Sequence, residues 1–167
     1  GMGGGMLSLF DLQLSVLRCD ISGNTAGTGG GEALGGGMFI GPSLMSAVIL
    51  DSLIADNDAG SDGTEFAAGG GIAAAMLDLG ILDGFGVPQL TSYEPMPEQA
   101  SILPLHLVNC TFSGNSVHAS DIGMGGGLWV VGESTTGLSF CTVTDNSAGL
   151  GGGIATLMPD IEAQNLE

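Results

Sequence analysis

Four segments of this chain align without gaps around an asparagine: residues 17–26, 50–59, 108–117 and 139–148. Shared positions are Cys19, Ser52, Cys110 and Cys141; then Ile21, Ile54, Phe112 and Val143; then Gly23, Asp56, Gly114 and Asp145; then Asn24, Asn57, Asn115 and Asn146. Each copy is followed by a glycine triplet and an apolar residue: Gly35–Met38, Gly69–Ile72, Gly125–Leu128 and Gly151–Ile154, with a fifth such run at Gly3–Met6. From triplet to next Asn the intervening residues number 18, 19, 43 and 18; from Asn to triplet they number 10, 11, 9 and 4. One arc keeps its length apart from a single insertion of about 25 residues, and the other arc varies. A unit this short cannot bury an apolar face by itself, so it must stack on its own copies.

The local pattern names the element. Before each Asn the Cys position and the Ile/Phe/Val position are two apart, which is strand spacing. Glycine, at 32 of 167 residues, is too dense for helices. Short strands and tight turns in a unit of roughly 23 to 33 residues predict an all-β chain wound as a parallel β-solenoid. About four to five coils fit into one domain, 1–167, with a Pro-rich loop insertion at 80–104. The chain opens mid-pattern, so a segment of a longer solenoid is expected. The glycine triplets suit corners that need positive φ or close approach between coils. The Asn suits a left-handed turn position, and its side chain can bond the Asn of the next coil, about 4.8 Å away.

Phe112-Ser113-Gly114-Asn115 is an F-x-x-N motif, and the Gly-Gly-Gly-Ile/Leu/Met runs are close to G-G-A-[ILV]. Together they resemble the repeats of the polymorphic outer-membrane proteins of chlamydiae and their relatives. The likeness covers nearly the whole chain except about residues 80 to 104. It departs in having Gly for Ala in every triplet and Ile or Val for Phe in three copies. The resemblance implies a right-handed parallel β-helix acting as a surface adhesin or passenger. No membrane-barrel segment accompanies it, so self-transport is not implied.

Charge narrows the partners. Eighteen acidic residues face one base, Arg18, for a net charge of −17. Nucleic acid and anionic membrane surfaces are therefore excluded as partners. At 44% apolar and 11% charged residues, the chain can still bury a core. The apolar, uncharged stretch 33–50 contains four Gly and Pro42 and is not read as a membrane span.

The candidate sites weigh against chemistry. The three cysteines share the inward parity of Ile21, Phe112 and Val143. Cys19 is expected free, and Cys110 and Cys141 stacked without a bond. With no C-x-x-C, and no ligand spacing from His106 or His118, zinc is not expected. Asp56 and Asp145 share a position that Gly23 and Gly114 fill in the alternate coils, so the two carboxylates are about two rungs or 9.6 Å apart. That is near the limit for an inverting hydrolase pair, and no basic cluster accompanies them. The chain is accordingly not read as an enzyme; a carbohydrate-active β-helix (lyase or hydrolase) is the alternative. Asp56, Asp58, Asp62 and Glu65 are candidate calcium ligands; otherwise no cofactor is expected. The 80–104 insertion, with Glu94 and Glu98, is a candidate recognition loop. Trp129 is a candidate carbohydrate platform or a packing residue. Asn109-Cys110-Thr111 is a glycosylation sequon with Asn109 pointing outward. Six residues before each Asn lie Arg18, Asp51, Asn109 and Phe140, a solvent-facing column in which Arg18 and Asp51 should pair. The expected role is structural or adhesive, at a cell surface or outside the cell. Expected partners at the solenoid ends are more of the same chain, identical subunits or another protein's strands.

Overall fold

The structure, a computed structural model, describes residues 1–9, 13–41, 46–75, 103–131, 134–157 and 160–164. These residues are all-β, with no helix among them.

The strands recur five to a repeat. The first repeat holds β1 (Met6–Ser8), β2 (Gln13–Leu17), β3 (Asp20–Ser22), β4 (Thr25–Ala26) and β5 (Gly31–Leu34). The second holds β6 (Met38–Ile40), β7 (Ser46–Leu50), β8 (Leu53–Ala55), β9 (Asp58–Gly60) and β10 (Thr64–Ala68). The third holds β11 (Ile72–Ala75), β12 (Leu103–Val108), β13 (Thr111–Ser113), β14 (Ser116–His118) and β15 (Ile122–Met124). The fourth holds β16 (Leu128–Val131), β17 (Ser134–Ser139) and β18 (Thr142–Thr144), then single bridges at Ser147 and Leu150. Last come β19 (Ile154–Leu157) and β20 (Asp160–Gln164).

Every strand pairs in parallel with its counterpart in the next repeat. The result is five parallel sheets, ordered β1-β6-β11-β16-β19, β2-β7-β12-β17-β20, β3-β8-β13-β18, β4-β9-β14 and β5-β10-β15. Register follows the repeat alignment. Ile21 sits beside Ile54, Ile54 beside Phe112, and Phe112 beside Val143. Ile54 and Phe112 are fully buried, while Ile21 and Val143, at the two edges of this sheet, are half-buried.

Alternation builds the main core. In β2, Leu14 and Val16 point in while Gln13, Ser15 and Leu17 point out. Val16, Ile49, Leu107 and Leu138 then form one buried column. Met38, Ile72 and Leu128 form another, from the strands that follow the glycine triplets. Each such side chain contributes about 1.5–3 kcal/mol when fully buried.

Two further clusters lie outside that core. The strands after the triplets do not alternate: β6, β11 and β16 are buried at every residue. Their second face packs Phe39, Ala73, Ala75, Trp129 and Val131 with Leu34 and Ala68. A third cluster is thin. Ala33 and Ala67, from β5 and β10, meet Ala59 and Val117, from β9 and β14. Small side chains let those two sheets approach closely.

The 80–104 insertion falls outside the described residues up to Ser101-Ile102. Leu103 and Pro104 open β12.

Candidate functional site

The most developed constellation is the asparagine column. The main-chain N–H and the Nδ2 of Asn24 both donate to Asn57 Oδ1, at 3.0 and 2.9 Å. Asn57 donates in the same way to Asn115 Oδ1, at 3.1 and 3.0 Å. Asn115 donates to Asn146 Oδ1, at 3.0 and 2.8 Å. Each remaining Nδ2 hydrogen finds a main-chain carbonyl: Ile21 for Asn57, Ile54 for Asn115 and Phe112 for Asn146. Asn57 and Asn115 are fully buried, yet their amide groups are partnered on both sides. All the amides point one way, so neighbouring bonds polarise one another.

Two backbone features position this column. The residue with left-handed backbone is not the Asn but its predecessor: φ is +65° at Gly23, +53° at Asp56, +64° at Gly114 and +55° at Asp145. This corrects the expectation of Asn in the left-handed turn. The preceding residue makes the turn, and the Asn aims its amide along the column. The third glycine of each of the first four triplets packs against the same amides. A Cβ on Gly37 would lie 2.8 Å from Asn57 Nδ2, and one on Gly5 would lie 2.8 Å from Asn24 Nδ2. Triplet and asparagine are thus two sides of one contact.

A second, exposed column stands at the turn before β3, β8, β13 and β18. Arg18, Asp51, Asn109 and Phe140 all have φ between +51° and +56°. Arg18 Nε lies 3.8 Å from Asp51 Oδ2, and Asn109 Nδ2 donates to Asp51 Oδ1 at 2.7 Å. The Arg18 side chain is 78% exposed, so the ion pair is worth little. The sequon nitrogen of Asn109 is exposed but engaged by Asp51.

The carboxylates do not converge. Asp56 is exposed, and its carboxylate leans over Gly114, where a Cβ would lie 2.3 Å from Oδ1. Asp58 accepts from Ser116 Oγ at 3.0 Å and lies 3.6 Å from His118 Nε2. Asp62 is exposed in the turn between β9 and β10, and Glu65 is exposed on β10. Asp145 accepts from Thr144 Oγ1 at 3.1 Å. Among the described residues no three His, Cys, Asp or Glu side chains are placed to hold a metal. The four calcium candidates are therefore not brought together. Glu94 and Glu98 lie outside the described residues.

The thiols divide. Cys110 and Cys141 are buried and unbridged; Cys19 is free but exposed, against the expectation that it points into the core. Cys19 stands in the first repeat, with no described strand beyond it, and its thiol reaches Leu17 O at 3.4 Å. Ser52 occupies the position between Cys19 and Cys110; its hydroxyl donates to Leu50 O at 2.7 Å and accepts from Cys19 N.

Trp129 is 3% exposed, with its ring edge-on to Phe66 at 5.9 Å between centroids. A buried ring cannot serve as an open sugar platform, so the packing reading applies.

Comparison with known protein families, curated proteins and solved structures returns no match.

Two features escaped the sequence reading. The contact of triplet with Asn joins motifs about one arc apart in the chain, and spacing alone does not say which glycine meets which amide. The second face of β6, β11 and β16 did leave a signal: unbroken apolar runs such as Leu128-Trp129-Val130-Val131, the mark of a strand buried on both sides.

Proposed function

We propose that this chain is a right-handed parallel β-solenoid module with a structural or adhesive role at a cell surface or outside the cell. The observation that carries the reading is the continuous register. Through the first three repeats all five strands pair with the same strand of the next, and three continue into the fourth, along a continuous asparagine column buried at its centre. Such a column stiffens an axis and leaves the outward residues free to vary, as Arg18, Asp51, Asn109 and Phe140 do. The resemblance to polymorphic outer-membrane protein repeats supports the same role. Among the described residues the edge strands of each sheet have a neighbour on one side only, which leaves main-chain groups open to further strands. Partners at the ends are further strands of the same chain, identical subunits or another protein's strands; carbohydrate is a candidate ligand along the sides.

Displaying residues 1–167 on a non-adherent bacterial cell and scoring attachment to host cells or to immobilised glycans tests the role. Attachment above the empty-display control supports adhesion. A passive surface that instead releases reducing or unsaturated ends from an acidic polysaccharide would replace the reading with a carbohydrate-active one. Light scattering of the free chain across salt and calcium tests the ends: a monomer at every condition counts against strand-mediated association.

A further inference from the structure

Cys110 and Cys141 are consecutive members of one column. The register Thr111 beside Thr142, and the bond from Thr142 N–H to Cys110 O at 2.9 Å, hold them side by side in adjacent repeats. Each is 1% exposed. Cys110 Sγ lies 3.4 Å from both Ile49 O and Val108 O; Cys141 Sγ lies 3.3 Å from Leu107 O and 3.5 Å from Ser139 O.

That geometry is poor for a disulfide. In-register parallel strands set Cβ atoms near the strand spacing of about 4.8 Å, whereas a disulfide draws them to about 3.8 Å. The same spacing fits a wider bridge. A sulfur–metal bond of about 2.3 Å on each side spans about 4.6 Å. We propose that Cys110 and Cys141 form a two-coordinate site for a soft monovalent cation of the cuprous class, clasped between adjacent repeats.

The chemistry balances without an oxidant. The S–H bond of Cys141 breaks, its sulfur binds the cation and one proton leaves to solvent. Cys110 keeps its proton and binds through a sulfur lone pair. The site goes from neutral to neutral, as an apolar core demands. Soft sulfur ligands select such ions, and zinc, which wants four ligands, finds no third among the described residues. Entry needs only local opening of the turn, because exposed Asn109 and Phe140 directly precede the two cysteines.

Silver(I) alone, which is air-stable, is the probe, in a Cys19→Ser background that removes the exposed thiol. Titration is expected to give one silver per folded chain, one proton released per ion and a raised melting temperature. Ser52 already fills this column position, so Cys110→Ser and Cys141→Ser are expected to fold and to lose the stoichiometric step. Silver-edge X-ray absorption of the Cys19→Ser parent is expected to count two sulfur neighbours, a readout that stands even if a serine variant fails to fold. Binding that persists in either folded serine variant, vanishes with Cys19→Ser, lowers the melting temperature or shows one sulfur neighbour would overturn the site.

Discussion

A single amide shows how much of this protein rests on satisfying buried polar groups. Asn115 Oδ1 accepts two donors from Asn57, and its own amide supplies two more bonds. Truncating it strands both Asn57 donors in the core, at about 1–3 kcal/mol for each unsatisfied group. Asn115→Ala is therefore expected to cost about 2–4 kcal/mol, read as a lowered urea midpoint with an unchanged slope. Asn24→Ala, at the half-buried end of the column, should cost clearly less; equal losses would mean the column is not cooperative. Glu32 makes a different point. Burial, offset by the N-terminal ammonium and reinforced by Glu65, holds its carboxyl above the ordinary value. A raised carboxyl contributes stability below its ordinary value, and that stability is lost as pH rises through the shifted one. Glu32→Gln removes the loss, so the variant should gain on the parent as pH climbs from about 4 toward 7. Thermal melts across that range check the sign: a constant difference would deny the shift.

The triplets show why an element so rich in glycine is ordered. Gly71 needs to be glycine because a Cβ there would lie 2.5 Å from Gly127 O and 3.0 Å from Ile54 Cγ2. Main chain cannot yield as a flexible side chain can. Gly71→Ala is expected to cost several kcal/mol, on the scale of overpacking plus a broken main-chain contact, roughly 2–4 kcal/mol. Gly29→Ala is the control: nothing lies within 4 Å of its Cβ and its φ is not positive. It should be neutral or gain about 0.4–1 kcal/mol by restricting the unfolded chain. Denaturant midpoints of the two variants decide. If Gly71→Ala melts like Gly29→Ala, the triplet is a flexible hinge rather than a packing surface.

Over the whole molecule, charge opposes compaction. The net charge of −17 is spread over a chain with one arginine and no lysine, so carboxylates repel with almost no internal relief. Raising salt from about 0.01 M to 0.15 M shortens the screening length from about 30 Å to about 8 Å. The melting temperature should rise over that interval and then level off. A fall would mean that pairs such as Arg18 with Asp51 outweigh the repulsion, which their exposure argues against.

Strand spacing, the column of Ile21, Ile54, Phe112 and Val143, and the alignment of the four asparagines were legible in the sequence. Each depends on a period of two within a strand and on copies that must stack to bury it. The candidate sites were less legible. Asp56, Asp58, Asp62 and Glu65 lie close in the chain, yet no three of them are placed to hold a metal, with left-handed backbone at Asp56 and a turn at Asp62 between them. Cys19 has the parity of its counterparts yet is exposed: it stands at the outer edge of the first repeat, which parity within one strand does not report. Gly37 meets Asn57 across an arc of 19 residues, a contact set by how separate sheets pack. Local periodicity thus determined which residues form strands and which strands match. Only the tertiary structure decided which turn residue takes the left-handed backbone and which glycine faces which amide, because both depend on the distance between main chains that are remote in sequence.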